Sequence, residues 1–185
     1  MNNIYVYDTS LKKDDYNLPS NILDHTNQYK NDSKREISMM MYYLLGIKLR
    51  NIGFSLENLY FFNNKPLIDG INISLSHTDS YIAIMISDEK CGIDIEKIIT
   101  KNVNKLSELI CKNDYDKYLN SIDKNLYLTQ RWTSLEAQYK CNNEKGFFDM
   151  FSDEFPYKTL KIKEYVLSYV GKCDNIYLND KLYRV

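Results

Sequence analysis

Histidine is nearly missing from this 185-residue chain, which has two, and none of its four cysteines forms a CxxC pair. That scarcity excludes a zinc finger or ribbon, and the scatter of Cys91, Cys111, Cys141 and Cys173 offers no disulfide framework. Free thiols in a reducing cytosol are expected. The chain has almost no net charge, at −1, whereas a protein that tracks nucleic-acid phosphates carries a clear Lys/Arg excess. No nucleic-acid partner is expected, although a local anion site is compatible with this balance. No apolar run approaches the ~20 residues of a membrane span, and the start MNNIYVYD has no basic stretch followed by an apolar one. The expectation is a cytoplasmic protein with no membrane contact. Six glycines and three prolines, against abundant Asn, Lys, Ile and Tyr, reflect an AT-rich coding bias and not a function.

What is present is material for a core. Apolar residues make up 44% of the chain and charges of both signs 26%, enough to build one domain or two small ones. Ile4 to Tyr7 alternates as a short strand does, and the polar stretch up to Asp32 has no periodicity. Ser33-Lys34-Arg35-Glu36 fits a capping box, followed by the helical stripe Ile37, Met40, Met41, Leu44, Leu45 and Lys48, which stops before Gly53. From Asn58 to Lys97 the pattern becomes short strands, LYFF, INISL, YIAIMIS and CGIDIEKI, separated by NNKP, HTDS and SDEK. Val103 to Asn120 and Ser121 to Asn142 read as helices, and LKIKEYVLSYVG and IYLND return to strand. SYIAIMISDEKCGIDI and EYVLSYVGKCDNIYL share a strand, turn, strand outline. This permits two related α/β halves, but a chance likeness of amphipathic hairpins explains it equally well.

Chemistry concentrates in three places. In GIDIE, Asp94 and Glu96 are two apart on a strand, so both leave one face while Ile93 and Ile95 leave the other. Two carboxylates that close repel unless a cation lies between them; alone, the pair reads as an ordinary half-exposed alternating strand and proves little. In RWTSLEAQYK, helical spacing by four puts Trp132, Glu136 and Lys140 on one face, which alone is an ordinary stabilising pair beside a core aromatic. In NISLSHTDSY, Ser76 and His77 end a strand where hydroxyl, imidazole and loop amides suit phosphate oxygens. Lys65-Pro66 adds a fixed turn with a cation, and Arg35 a second cation near the start of the first long helix.

These segments, in this order, resemble the Sfp-type 4′-phosphopantetheinyl transferases, which activate peptide and polyketide synthases. NKP followed by INISLSHT is similar to the family's GKP and F-N-x-S-H segments, CGIDIEKI to its G-I-D-I-E signature, and RWTSLEAQYK to its W-x-x-K-E-A-x-x-K helix. Arg35 and the KGF at Lys145 to Phe147 extend the likeness beyond the stretch from Asn63. Leu135 departs from it, standing where the family has a Lys; a Lys restored there is expected to be tolerated.

The resemblance implies an α+β fold of two similar α/β subdomains related by a pseudo-twofold axis, here 1–98 and 99–185, in a monomer. It implies transfer of the 4′-phosphopantetheine of coenzyme A to a serine of an apo acyl or peptidyl carrier protein, with Mg²⁺ held by Asp94, Glu96 and Glu136. Arg35, Lys65, Pro66, Ser76, His77, Asp94 and Lys140 would bind coenzyme A, with Arg35 and His77 on its 3′-phosphate. Glu136 would be the base, with Glu96 the alternative, and Lys140 would act on the leaving group. Thr100 to Lys124, with Lys101, Lys105, Lys112 and Lys117, falls where the family faces its carrier. The rival expectations are a coenzyme A binding protein without turnover and a Mg²⁺-dependent phosphoesterase.

Overall fold

The computed structural model describes residues 1–11, 15–142 and 156–183. Among them the chain forms an α+β fold of five α-helices and three sheets. The strands are β1 (Asn3–Asp8), β2 (Tyr60–Phe62), β3 (Lys65–Leu67), β4 (Asn72–His77), β5 (Tyr81–Ser87), β6 (Gly92–Lys97), β7 (Tyr157–Ile162), β8 (Tyr165–Val170), β9 (Asn175–Leu178) and β10 (Lys181–Tyr183). The helices are α1 (Ser20–Thr26), α2 (Asp32–Arg50), α3 (Val103–Ile110), α4 (Tyr115–Leu119) and α5 (Lys124–Cys141). No helix among the described residues is long and apolar enough to cross a membrane.

β5 organises the interior. It pairs antiparallel with β1 on one side and β4 on the other, in a sheet ordered β10-β9-β1-β5-β4, and all its residues are buried. Because side chains alternate along a strand, its two faces serve two cores. Ile82, Ile84 and Ile86 pack with Ile37, Met40, Leu45 and Leu49 of α2. Tyr81, Ala83 and Met85 pack instead with Ile93, Ile95, Tyr165 and Leu167 of the second sheet, ordered β6-β8-β7. An unbroken apolar strand such as YIAIMIS is what a position between two layers requires. A third, smaller core joins Ile110, Cys111, Tyr118, Leu128 and Leu135 beneath α3, α4 and α5.

The two larger sheets meet along β4 and β6 through side chains. Ser74 Oγ accepts from the Ile93 N–H at 3.0 Å and Ser76 Oγ from the Ile95 N–H at 3.3 Å, so two hydroxyls stand in for a backbone ladder. Segments on both sides of residue 98 share sheets: β6 pairs with β8, while β9 and β10 join β1. The two similar sequence segments therefore cross reciprocally, one running from β5 in the first sheet to β6 in the second, the other from β8 in the second to β9 in the first.

Several local expectations change. The α2 cap is Asn31, whose side chain accepts from the Lys34 N–H at 3.0 Å, so Ser33 lies inside the first turn. The aperiodic stretch before it contains α1, too short to display a period. Val103 to Asn120 is two helices, broken where buried Cys111 fills the small core. Lys65-Pro66 belongs to β3; the turn is Asn63-Asn64, both at positive φ, as a two-residue hairpin demands.

Candidate functional site

Alternation on β6 sends Gly92, Asp94 and Glu96 toward α5, while Ile93 and Ile95 enter the core. The close approach depends on Gly92. A Cβ there would lie 1.9 Å from the Ala137 carbonyl oxygen and 2.8 Å from the Cys141 nitrogen, so any side chain would push α5 off the strand. α5 is capped by Asp123, whose carboxylate accepts from the Leu126 N–H at 2.9 Å. Its four-residue spacing then brings Trp132, Glu136 and Lys140 to the same cavity as the strand carboxylates.

Asp94 is only 4% exposed, yet it lies between two donors. Its Oδ1 accepts from Lys140 Nζ at 2.7 Å and from Ser76 Oγ at 2.8 Å. The Ser76 oxygen thus takes the Ile95 N–H and gives its own proton to Asp94, tying the seam between sheets to the acid. Asp94 Oδ2 is buried without a hydrogen-bond partner. An orphaned carboxylate oxygen is costly and leaves lone pairs open to a partner.

The charges around it do not balance. Burial, then the Asp94 charge, push Glu96 from its ordinary 4.5 up to about 7, with Lys140 opposing and Glu136 adding to the rise. Glu136 is raised as well, by burial and Asp94, again against Lys140. His77 is held below its usual range by burial and by the charges of Lys140 and Lys34, so it is neutral at pH 7. Three acids thus share one ammonium in a partly desolvated cleft.

The cleft is a cavity of about 380 Å³ whose walls include Pro66, Ser76, His77, Asp94, Glu96, Trp132, Glu136 and Lys140. Of the expected site residues it gathers all but two. Arg35 pairs with Asp32 at 2.8 Å on its own helix and is not among the cavity's lining; the neighbouring Lys34 is the α2 cation whose charge reaches His77. Lys65 lines an adjoining cavity of about 330 Å³, together with Asn64, Pro66 and Lys140. Its ammonium donates to the Lys140 carbonyl at 2.9 Å.

The structure adds His25, Tyr29, Tyr42 and Asn64 to the walls. His25 stacks on Phe61 with ring centroids 3.8 Å apart and planes within 9°, and meets Tyr29 and Tyr42 edge-on. Asn64 belongs to the NKP segment and Tyr42 to α2, whereas no sequence signal marked His25, because α1 sits in the aperiodic stretch and reaches the site only through tertiary packing.

Leu135 corrects one expectation. It is 1% exposed, packs with Ile110, Cys111, Tyr118 and Leu128, and is not among the cavity's lining. A Lys at this position would bury an ammonium among apolar side chains, so tolerance is not expected. Lys101, Lys105, Lys112 and Lys117 are all exposed, as are Leu109, Leu119 and Ile122 on the same segment. The KGF motif at 145–147 lies outside the described residues.

As a metal site, the donor set is hard oxygen from three carboxylates with excess negative charge and an orphaned Asp94 oxygen, which suits Mg²⁺ or a similar cation. Among the described residues no group of three or more acid, His or Cys side chains is already drawn together tightly enough to hold an ion. The fit is one of composition and charge. No family model matches the chain, and no curated protein matches it significantly.

Proposed function

We propose that the chain is a Mg²⁺-dependent 4′-phosphopantetheinyl transferase that moves the phosphopantetheine arm of coenzyme A onto a serine of an apo acyl or peptidyl carrier protein. One observation carries the reading: Asp94 and Glu96 of β6 and Glu136 and Lys140 of α5 line one cavity with Ser76 and His77 at the end of β4. The motifs whose order resembles that family thus meet in space although they lie far apart in sequence. The reciprocal crossing of β5–β6 and β8–β9 between sheets supports a pseudo-twofold pair of subdomains. In this reading the protein acts as a cytoplasmic monomer on a protein substrate.

In this reading Asp94, Glu96 and Glu136 hold Mg²⁺, which when bound supplies positive charge against the diphosphate of coenzyme A and the departing 3′,5′-ADP. Ser76 and Lys140 fix Asp94 through its Oδ1, and Oδ2 keeps its lone pairs unpaired. Neutral His77, with the Lys34 charge nearby, offers an imidazole N–H and a cation to a phosphate. The carrier serine oxygen forms a bond to the phosphorus that bears the pantetheine, and the diphosphate bridge breaks. Glu136 takes the serine proton, its raised pKa making it a better acceptor than an ordinary carboxylate; Glu96 is the alternative. Lys140 stabilises charge on the leaving oxygen. The exposed lysines from Lys101 to Lys117, beside exposed Leu109 and Leu119, offer basic and apolar contacts to an acidic carrier.

The test is mass spectrometry of apo carrier proteins incubated with the enzyme, coenzyme A and Mg²⁺. Gain of one phosphopantetheine mass on the serine is expected. No gain on several carriers, with the enzyme folded, overturns the reading, and coenzyme A binding without turnover identifies a binding protein instead.

A further inference from the structure

We infer that the cavity adjoining the carboxylates takes the branched aliphatic segment that follows the diphosphate of coenzyme A, and that Phe62 and Tyr139 set selectivity for it. The inference rests on the function proposed above and adds which end of an unsymmetrical diphosphate lies where. This second cavity, of about 330 Å³, has Phe62, Pro66, Ile73, Leu75 and Tyr139 in its walls. It shares Asn64, Pro66, Leu75 and Lys140 with the cavity that holds the acids, so the two are neighbouring compartments of one cleft.

Local spacing produces the change of character between them. Ile73, Leu75 and His77 are two apart on β4 and share one face. Ile73 lines the second cavity, Leu75 both and His77 the first, so this row runs from apolar to polar along one strand. Alternation on β2 divides the aromatics in the same way. Phe61 stacks on His25, a wall of the first cavity, while Phe62 leaves the opposite face for the second. On α5, Tyr139 lines the second cavity, Trp132 and Glu136 the first, and Lys140 both. Phe62 and Tyr139 are 65% and 38% exposed, so two large aromatic side chains flank an apolar hollow that the apolar part of a ligand would cover.

Coenzyme A is unsymmetrical in the matching sense. One side of its diphosphate carries a ribose with a flat base and a further phosphate, which suit the aromatic walls His25, Tyr29 and Tyr42 and the Lys34 charge at His77. The other side begins with a quaternary carbon bearing two methyls, followed by a hydroxyl and an amide. The methyls suit the compartment of Phe62 and Tyr139. The hydroxyl and amide can meet Asn63 and the Lys65 ammonium, which is held by its 2.9 Å bond to the Lys140 carbonyl. Lys140, common to both compartments and bonded to Asp94, then stands at the phosphorus that is attacked, next to the aliphatic end.

Isothermal titration calorimetry with Mg²⁺ compares coenzyme A, its analogue with both methyls replaced by hydrogen, and 3′,5′-ADP. Wild-type protein is expected to bind the analogue about tenfold or more weakly than coenzyme A, the range for apolar groups lost from an apolar pocket. In the double variant Phe62→Ala/Tyr139→Ala that difference should largely vanish, with 3′,5′-ADP bound as by the wild type. Equal binding of coenzyme A and the analogue by the wild type overturns the placement without any variant. So does a double variant that weakens 3′,5′-ADP as much as coenzyme A, since the nucleotide end would then lie in this cavity. Failure of the wild type to bind coenzyme A at all removes the proposed function and the placement together, whereas carrier transfer without selectivity against the analogue removes the placement alone.

Discussion

Two aspartates in this protein are built alike and differ in their surroundings. Asp114, under the helical layer, accepts from the Tyr127 hydroxyl at 2.8 Å and has Arg131 Nε 3.1 Å away, a charge contact without the alignment of a hydrogen bond. Asp94, at the seam between sheets, accepts from Ser76 and Lys140. Each has a hydroxyl, a cation and one buried oxygen without a partner. At Asp114 one acid meets one guanidinium, beside the packed Cys111 and Tyr118. At Asp94 two more acids, both with raised pKa, share one ammonium at the wall of a cavity. A buried ion pair is therefore an ordinary structural element; a surplus of like charge facing a cavity marks a ligand site.

Exchanging the two acids for neutral residues is the strongest challenge to that contrast. Asp94→Ala is expected to reduce transfer by about 10²–10³-fold or more, as when a group that stabilises transition-state charge is lost. Its melting temperature should fall little, because the neighbouring glutamates lose a repulsive partner. Asp114→Asn should do the reverse, destabilising by about 3 kcal/mol through its stranded guanidinium while purified folded enzyme keeps its turnover. Calorimetry beside the transfer assay reads both, and matching behaviour of the two variants removes the distinction.

Leu135 sharpens the same boundary on one helix. Leu135→Lys should destabilise by about 3 kcal/mol or more, by analogy with an uncompensated buried charge, whereas Leu135→Met should cost under about 1.5 kcal/mol. Denaturant unfolding measures both. A fully stable Lys variant would mean that this face of α5 is open to solvent.

The raised Glu96 gives a smaller effect with a defined sign. With its pKa raised from 4.5 to about 7, the folded protein binds a proton more tightly than the unfolded chain. That contribution is fully present below pH 4.5 and is lost as pH rises through about 7. Without divalent cation, melting temperature should decline from pH 5 to pH 7.5, and Glu96→Gln should flatten the decline. A wild-type profile no steeper than that of Glu96→Gln contradicts the rise assigned to burial and to Asp94. The smallest expected difference separates neighbours on α2: Lys34→Ala should raise the KM for coenzyme A several-fold, about 1 kcal/mol at a charged contact, while Arg35→Ala should leave it nearly unchanged. Steady-state kinetics decides, and the opposite ranking would restore Arg35 to the site.

Much of this contrast could be read before folding, because period-two and period-four spacing dictates which side chains share a face. Asp94 with Glu96, and Trp132 with Glu136 and Lys140, follow from that rule. What spacing cannot give is the angle at which a helix meets its sheet. Lys34 and not Arg35 is the α2 cation whose charge reaches His77, and the helix begins at an Asn31 cap, two residues earlier than the SKRE pattern indicates. Leu135 turns from the site because α3 and α4 offer that side of α5 a small core. His25 enters the cavity from α1, whose seven residues are too few to show a period.

The central claim is that surplus carboxylate charge beside Asp94 waits for a divalent cation. Titration of Mg²⁺ into the enzyme with coenzyme A at pH 6.5, in buffers of different ionisation enthalpy, tests it most directly. At that pH Glu96, titrating near 7, is more than half protonated, so binding should expel its proton and the measured heat should depend on the buffer. Glu96→Gln should reduce the buffer dependence. Absence of Mg²⁺ binding, or binding with the same heat in every buffer, would contradict the claim.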